Sequence, residues 1–245
     1  MKLRIGTYNI QHGKSHRIYL AEKREVIDLS LFSDMIREKS LDVCALNEMR
    51  NQEMTEGLCN QAKVIGDALG YRWYFARAID IRGGEYGNAL VSRYPIKKVV
   101  TYPIAVPKSE RTTGEYFEDR VLLSADINVK GKTFTVMSCH FGLAKSEQQK
   151  AVEIIREAVL QNPYPVVLLG DFNVTPDSDI YAALAEILSD AEHCSENKEF
   201  TFPSHAPNRT IDYIFTYGDC STENFRVAPE VRSDHLMVYT DLSLH

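Results

Sequence analysis

Residue types that can hold a metal ion or move a proton recur in this sequence where apolar runs end. They are Asn9, Glu48, His140, Asp171, Asn173, Asp212, Asp234 and His235. Carboxylate oxygens are ligands that Mg²⁺ prefers, and a bound ion polarises a phosphoryl oxygen. Histidine transfers protons near neutral pH, and a nearby carboxylate fixes its tautomer. Together, these residue types could hydrolyse a phosphate ester with a divalent ion.

Each of these residues also has an ordinary structural explanation when it is taken alone. Asn9 could close a turn, Glu48 could cap a helix, and His140 could be a core histidine with satisfied nitrogens. Asp171 follows a glycine and could open a turn. Asp212 is less ordinary, because it stands in the apolar run IDYIF, where a buried carboxylate needs a partner. The prediction of a site therefore rests on the whole set.

Strands must bring these side chains to one rim of the fold, and the chain is rich in strand patterns. Helical spacing predicts helices over residues 31–39, 61–69 and 145–160. Strand patterns cover residues 3–10, 41–46, 71–78, 89–92, 99–106, 121–129, 133–138, 166–169, 211–216, 225–228 and 237–241. Hairpin signals such as Lys130-Gly131-Lys132 are frequent. We therefore predict an α+β sandwich of two sheets with helices outside, and not a doubly wound parallel sheet.

The composition is that of an ordinary globular chain. The sequence has 245 residues, 44% hydrophobic and 25% charged, and no stretch has the composition of a linker. We therefore predict one domain over residues 1–245. The 34 acidic residues outnumber the 28 basic ones, which gives a formal charge of −6. Proteins that grip a long nucleic acid neutralise its phosphates with Lys and Arg, so this balance counts against tight DNA binding, although a local basic patch is compatible with it.

Cysteine usage and the N-terminus indicate a reducing compartment. No CxxC pair occurs among the five cysteines, so neither a disulfide framework nor a structural zinc site is expected. Cys44 and Cys139 lie in apolar runs and are predicted to be small buried residues. The first residues form a strand pattern and not a signal peptide, and no apolar run approaches ~20 residues. We expect a cytoplasmic protein without a membrane span, and the oligomeric state is left open.

Six motifs occur in an order that resembles the endonuclease/exonuclease/phosphatase superfamily. They are TYNIQHG, LNEM, SCHFGL, GDFNVTPDS, RTIDYIF and SDHLMVY, and they extend over residues 7–239. GDFN with a later SDH is the most specific part, and GNALVSRYPI at residues 87–96 also looks like a family segment. Members include deoxyribonuclease I, exonuclease III-like repair enzymes, neutral sphingomyelinases and inositol-polyphosphate 5-phosphatases. The resemblance implies a four-layer α/β sandwich, with two packed, mostly antiparallel sheets flanked by helices.

The resemblance also implies a metal site. Glu48 looks like the direct ligand of the ion, Asn9 looks like its companion, and Asp234 is expected to assist the metal or the attacking water. The expected ion is Mg²⁺, with Mn²⁺ as a substitute. Arg120, in the stretch EDRV, stands where relatives often place an arginine that contacts phosphate.

The same resemblance implies roles in the chemical step. Asp171 looks like the residue that orients or deprotonates the attacking water. Asn173 looks like a donor to the phosphate in the transition state, and His140 like a second phosphate-binding residue. His235 looks like the catalytic histidine, with Asp212 as its orienting carboxylate. At this level either Asp171 or His235 could be the general base.

Departures from the family pattern bear on the substrate. Gln11 stands where repair nucleases often carry aspartate, and the PSWxDR-like segment of the inositol 5-phosphatases is absent. We expect a phosphodiesterase or phosphomonoesterase for a nucleotide, a nucleic-acid end, a phospholipid headgroup or a sugar phosphate. The first alternative is a DNA repair endonuclease or exonuclease. The second is a non-catalytic binding module on the same fold, against which the intact residue set argues.

Overall fold

The computed structural model describes residues 1–52, 59–81, 83–192 and 199–245. Its helices are α1 (His16–Glu22), α2 (Ser30–Glu38), α3 (Gln61–Leu69), α4 (Lys145–Leu160) and α5 (Asp179–Ala185). Its strands are β1 (Lys2–Asn9), β2 (Val43–Asn51), β3 (Arg72–Ile81), β4 (Gly84–Ser92), β5 (Ile96–Ile104), β6 (Arg120–Val129), β7 (Lys132–His140), β8 (Val166–Asp171), β9 (Ser189–Asp190), β10 (Asp212–Tyr217), β11 (Cys220–Val227) and β12 (Val238–Leu244).

The described strands form two six-stranded mixed sheets. The strand order is β11-β12-β1-β2-β4-β3 in the first sheet and β5-β6-β7-β8-β10-β9 in the second. β1 runs parallel to β2, and β7 runs parallel to β8, whereas the other neighbours are antiparallel. The predicted sandwich of two mostly antiparallel sheets is confirmed.

One buried cluster fills the space between the two sheets. Ile5 of β1, Val43 of β2 and Leu90 of β4 come from the first sheet, and Val136 of β7 and Leu169 of β8 come from the second. Side chains alternate between the two faces of a strand, so every second residue points into this space. Full burial of each such side chain stabilises the folded protein by about 1.5–3 kcal/mol, which explains why the sheets pack face to face.

Helices cover the outer face of each sheet. Phe32 of α2 and Ile65 of α3 belong to a buried cluster with the outer face of the first sheet. Ala151 and Ile155 of α4 belong to a second cluster with the outer face of the other sheet. Their spacing of three to four residues is that of an amphipathic helix. The result is the four-layer arrangement that the resemblance implied.

Most elements match the predictions, and the main difference lies beside the predicted site. The helices Gln61–Leu69 and Lys145–Leu160 are confirmed. The predictions missed α1 and α5, which have only seven residues each and therefore show little periodicity. The second strand was predicted to end at Leu46, but β2 continues to Asn51, because pairing with β4 resumes at Met49 after a bulge.

Two simpler expectations concern the cysteines and the membrane. Cys44 and Cys139 are buried, as predicted, and Cys194 lies outside the described residues. None of the described helices combines the length and the apolar character needed to cross a bilayer.

Candidate active site

The polar motif residues continue the inward-facing rows of the strands. Along β1, the row that contains Leu3 and Ile5 ends with Asn9. Along β8, the row that contains Leu169 ends with Asp171. Because side chains repeat every two residues in a strand, these polar groups lie between the sheets, where the apolar core stops. The core therefore ends in a buried polar layer to which both sheets contribute.

Asn9 joins the two sheets in this layer. Its amide nitrogen donates to Oε1 of Glu48 and to Oδ2 of Asp171, both at 3.0 Å. Its oxygen accepts the backbone N–H of Gln11 at 3.1 Å. The amide of Asn9 thus holds the two carboxylates in place. Oε2 of Glu48 makes no hydrogen bond to the described part of the chain, so this oxygen is the one available to a ligand.

A distortion of β2 presents Glu48 to the site. Its φ of 60° lies in the left-handed region, which residues other than glycine rarely adopt. Adjacent residues of a regular strand point to opposite faces, yet Asn47 and Glu48 both reach the polar layer, where they bond to Cys139 and Asn9. A bulge re-aims a side chain in this way, and the strained backbone costs about 1–3 kcal/mol.

Asp171, Asp212 and His235 form the buried centre of the group. Nδ1 of His235 lies 3.1 and 3.0 Å from the two carboxylate oxygens of Asp212, and Nε2 lies 3.6 Å from Oδ2 of Asp171. Asp171 and Asp212 are paired residues of the antiparallel strands β8 and β10. One polar side-chain atom from each of the three residues lies within 4.8 Å of the others.

Burial and charge together set the protonation of this centre. Burial acts to lower the pKa of His235, but Asp212 and Asp171 raise that pKa to about 10, so the ring is protonated at neutral pH. Burial raises the pKa of Asp171 to about 7, against the opposing charge of His235. The centre thus pairs an imidazolium with a carboxyl group whose pKa suits proton transfer near neutral pH.

His140 lies on another side of Asp171. Its Nδ1 is 3.3 Å from Nη1 of Arg120, and its Nε2 is 3.5 Å from Oδ2 of Asp171. Burial lowers the pKa of His140 well below its usual value, and the charge of Arg120 lowers it further, so the ring is neutral. Because arginine only donates, we assign the ring proton to Nε2, which faces Asp171. The amide nitrogen of Asn173 lies 3.2 Å from this nitrogen, where two donors stand side by side without a hydrogen bond between them, and it donates to the carbonyl of Phe141 at 3.0 Å.

Backbone geometry explains why Gly170 and Asn173 occur in the GDFN segment. A β-carbon on Gly170 would lie 1.8 Å from the carbonyl oxygen of Cys139 on the adjacent strand, so only glycine fits there. Asn173 has a φ of 51°, and its backbone N–H donates to Oδ1 of Asp171 at 3.0 Å. This turn holds the side chains of Asp171 and Asn173 at the same end of the fold.

The motifs and this geometry agree with a comparison to known proteins. A model described as the Endonuclease/Exonuclease/phosphatase family matches residues 6–235. The chain belongs to this family. The protein YbhP of Escherichia coli (strain K12) is 26% identical to it over 214 residues, which cover 82% of this chain and 81% of YbhP.

Several solved structures share its fold. An endonuclease/exonuclease/phosphatase from Bacteroides vulgatus superposes with a TM-score of 0.79 at 21% identity, and all of both chains is covered. The mannosyl-6-phosphatase Bt3783 of Bacteroides thetaiotaomicron VPI-5482 superposes with a TM-score of 0.79 at 18% identity, covering 99% of this chain and 100% of that one. At these identities the likeness establishes the fold alone.

Two buried asparagines, Asn47 and Asn88, form hydrogen bonds between the two sheets next to the site. Neither was singled out from the sequence. Asn47 accepts the backbone N–H of Asp171 at 3.1 Å, and it donates to Asn88 at 3.0 Å and to the carbonyl of Cys139 at 3.2 Å. Asn88 donates to the carbonyl of Val121 at 3.1 Å. The motifs LNEM and GNAL held the signal, because an asparagine within an apolar strand needs buried partners.

Arg120, which was predicted to contact phosphate, is buried and already paired within the protein. It is 7% exposed, and its Nη1 lies 2.6 Å from Oε1 of Glu118. Burial acts to lower the pKa of Arg120, but the charges of Glu118 and Glu48 and a hydrogen bond with Tyr86 raise it. Glu118 and Tyr86 are thus site residues that motif reading missed. The ion pair with Glu118 holds the guanidinium against His140.

Asp234 lies beside the buried centre. Its Oδ1 accepts a hydrogen bond from Oγ of Ser233 at 3.0 Å, and its charge raises the pKa of His235. Within the described residues, no hydrogen bond joins it to Asn9 or Asp171, which is a difference from Glu48. The contacts of Asp234 therefore support its predicted part in metal binding less directly than the contacts of Glu48 do for that residue.

Proposed function

We propose that this protein hydrolyses phosphate esters with the help of a divalent metal ion. The observation that carries the proposal is the buried centre itself, where the imidazolium of His235 and the carboxyl group of Asp171 lie 3.6 Å apart, with Asn9 linking Asp171 to Glu48. Membership in a family described by nucleases and phosphatases supports the same class of reaction.

The donor set fits a hard divalent cation. Three carboxylates, those of Glu48, Asp171 and Asp212, belong to the site, and burial raises the pKa of Asp171 to about 7, so a bound cation would favour the charged form of Asp171. We expect Glu48, aligned by Asn9, to hold Mg²⁺, with Mn²⁺ as a substitute. When bound, the ion would polarise a phosphoryl oxygen and neutralise the charge that develops on it.

Asp171 is the better candidate for the general base. With a pKa of about 7, its carboxylate can take a proton from the attacking water near neutral pH. His235, with a pKa of about 10, already carries its proton and is suited to donate a hydrogen bond to a phosphate oxygen. Asp212 would orient the ring through Nδ1.

Asn173 and His140 are suited to bind the phosphate. The side-chain amide of Asn173 and the Nε2–H of His140 can donate to oxygens that gain charge in the transition state, where such donors act most strongly. Arg120 is buried against Glu118 and contacts Nδ1 of His140, so we infer that it acts through that ring. This differs from the direct phosphate contact expected from the resemblance.

We expect the substrate to belong to one of the four classes predicted from the sequence, which are a nucleotide, a nucleic-acid end, a phospholipid headgroup and a sugar phosphate. A formal charge of −6 disfavours a long polyanion, so a nucleotide, a phospholipid headgroup or a sugar phosphate is favoured over a DNA duplex. The fold relative Bt3783 is named as a mannosyl-6-phosphatase, which makes sugar phosphates a reasonable class to test.

The proposal can be tested by hydrolysis of bis(p-nitrophenyl) phosphate, p-nitrophenyl phosphate, glucose 6-phosphate, abasic DNA and lysophosphatidylcholine, each with Mg²⁺, Mn²⁺ or EDTA. We expect ion-dependent cleavage of at least one compound. Glu48→Gln should need more metal ion, and Asp171→Asn should lower kcat by at least about 10²-fold because it removes the base. Glu153→Gln, on the exposed face of α4, is the matched control.

Two outcomes would contradict the proposal. If none of the compounds is cleaved with either ion, the non-catalytic binding module becomes the better reading. If Glu48→Gln shows the metal dependence of the wild type, Glu48 does not hold the ion.

A further inference from the structure

One buried histidine beside the catalytic centre has no hydrogen-bond partner at either ring nitrogen. His16 is 7% exposed, and both Nδ1 and Nε2 are buried without a partner among the described residues. A buried polar group without a hydrogen-bond partner is costly, and most buried polar groups in native proteins have such a partner. A ring of this kind at the edge of a site therefore calls for an explanation in terms of what binds there.

His16 is built into the rim of the catalytic centre. Its backbone N–H donates to the carbonyl of Arg232 at 3.0 Å, in the segment that leads to His235. The charges of Asp234 and His235 both act on its ring. The ring centroid of His205 lies 5.7 Å from that of His16, and His205 is an exposed residue. The ring of His16 thus lies next to a side chain at the protein surface.

The groups around this ring offer donors and acceptors and carry charges of both signs. Lys14 is 8% exposed, and its ammonium lies 3.5 Å from the ring centroid of Tyr19 and makes no hydrogen bond or ion pair within the described part of the chain. Asp234 supplies the opposite charge. Burial lowers the pKa of His16 and outweighs the effect of Asp234, so the ring is neutral and has one donor and one acceptor.

This combination suits hydroxyl groups better than ions. A hydroxyl both donates and accepts, so it can pair with either nitrogen of His16. A second phosphate would face Asp234, an ammonium group would face Lys14, and an apolar group would leave the ring unpaired. We propose that His16 belongs to a subsite that binds hydroxyl groups in the alcohol part of the ester, such as those of a sugar. This inference rests on the proposed function, because it places the subsite next to the phosphate.

The test compares two ligands that share a phosphate and differ in hydroxyl groups, D-ribose 5-phosphate and phenyl phosphate. Binding is measured with Mg²⁺ in the Asp171→Asn background, so that neither ester is consumed. The nitrogen-15 signals of the His16 ring should shift with D-ribose 5-phosphate and stay in place with phenyl phosphate. His16→Phe should weaken D-ribose 5-phosphate about tenfold, the factor expected for two ordinary hydrogen bonds, and should change phenyl phosphate by less than about twofold.

His12→Phe is the matched control, because it replaces a histidine that lies just before α1 and whose ring pairs with Glu25. It should change the affinity for either ester by less than about twofold. His16→Asn keeps an amide donor and acceptor at the position and should retain part of the preference, which separates lost hydrogen bonds from a disturbed fold.

Two results would overturn the subsite: equal weakening of both esters by His16→Phe, or an unchanged affinity for D-ribose 5-phosphate. Free D-ribose separates this inference from the proposed function. If it shifts the His16 signals of a wild-type protein that hydrolyses no phosphate ester, the subsite stands and the proposed function fails.

Discussion

At the scale of single residues, contact with Asp212 determines what His235 can do. Asp212 meets Nδ1 of the ring with both of its oxygens, and it is 1% exposed, so water screens this interaction little. The contact fixes the tautomer and favours the imidazolium. Asp212 is the strongest of the charges that keep the ring protonated against the effect of burial.

Replacing His235, Asp212 or both by alanine should therefore give strongly non-additive losses. Each single change should lower kcat/KM by about 10²–10⁴-fold, because the proton donor is lost or misplaced. The double variant should lose about as much as the worse single variant, because residues that act as one unit lose their function once. Losses that simply multiply in kcat/KM would show that the two residues act independently.

At the scale of elements, the site depends on how strands of opposite sheets are held in register. β2 reaches β7 and β8 through Asn47, and β4 reaches β6 through Asn88, so two amides connect five strands. These contacts lie next to the carboxylates of the candidate site. They hold Asp171 by its backbone N–H and so fix the distance from Glu48 on the first sheet to Asp171 on the second.

Asn88→Leu should reduce the free energy of unfolding by about 2–4 kcal/mol, because the new side chain leaves buried polar partners unpaired. Asn47→Leu should cost more, since it orphans the N–H of Asp171 as well. Replacing both asparagines should cost less than the sum, because their mutual hydrogen bond is then lost only once. Urea unfolding of the four proteins measures this coupling, and additive values would mean that the two amides stabilise the fold separately.

At the scale of the whole molecule, the fold buries a neutral histidine together with a protonated one, and this makes its stability depend on pH. The pKa of His140 in the folded protein lies well below its unfolded value of 6.5. Below that value the unfolded chain binds a proton at this residue that the folded protein does not take up. The contribution of His140 to stability is therefore fully present above about pH 7 and is lost as the pH falls.

His140→Gln should remove this dependence. Between about pH 7.5 and pH 5, the wild type should lose up to about 2 kcal/mol more in its free energy of unfolding than the variant does, at most about 1.4 kcal/mol per pH unit for one proton. Above pH 7.5 the two proteins should differ by a constant amount. Urea unfolding in EDTA over this range is the measurement, and parallel curves throughout would show that His140 is not the residue responsible.

The sequence by itself determined the elements and the places where their polar residues stand. Alternation of apolar and polar residues is a local property, so β1 and β8 with the motif residue that ends each of them, and β10 with the aspartate that begins it, could be recognised from neighbours in the chain. The helix Lys145–Leu160 was equally predictable, because its apolar stripe repeats within the segment. The family resemblance then added the four-layer sandwich, which the structure confirms.

Only the tertiary structure decided which of these residues touch and which proton each one carries. Asn9 and Asp171 are 162 positions apart, and their contact exists because the two sheets pack face to face. The bulge that turns Glu48 toward the site depends on pairing with β4, and the charge of His235 depends on burial beside two carboxylates. Long-range pairing and desolvation arise from the packed molecule, so no local pattern of residues could have revealed them.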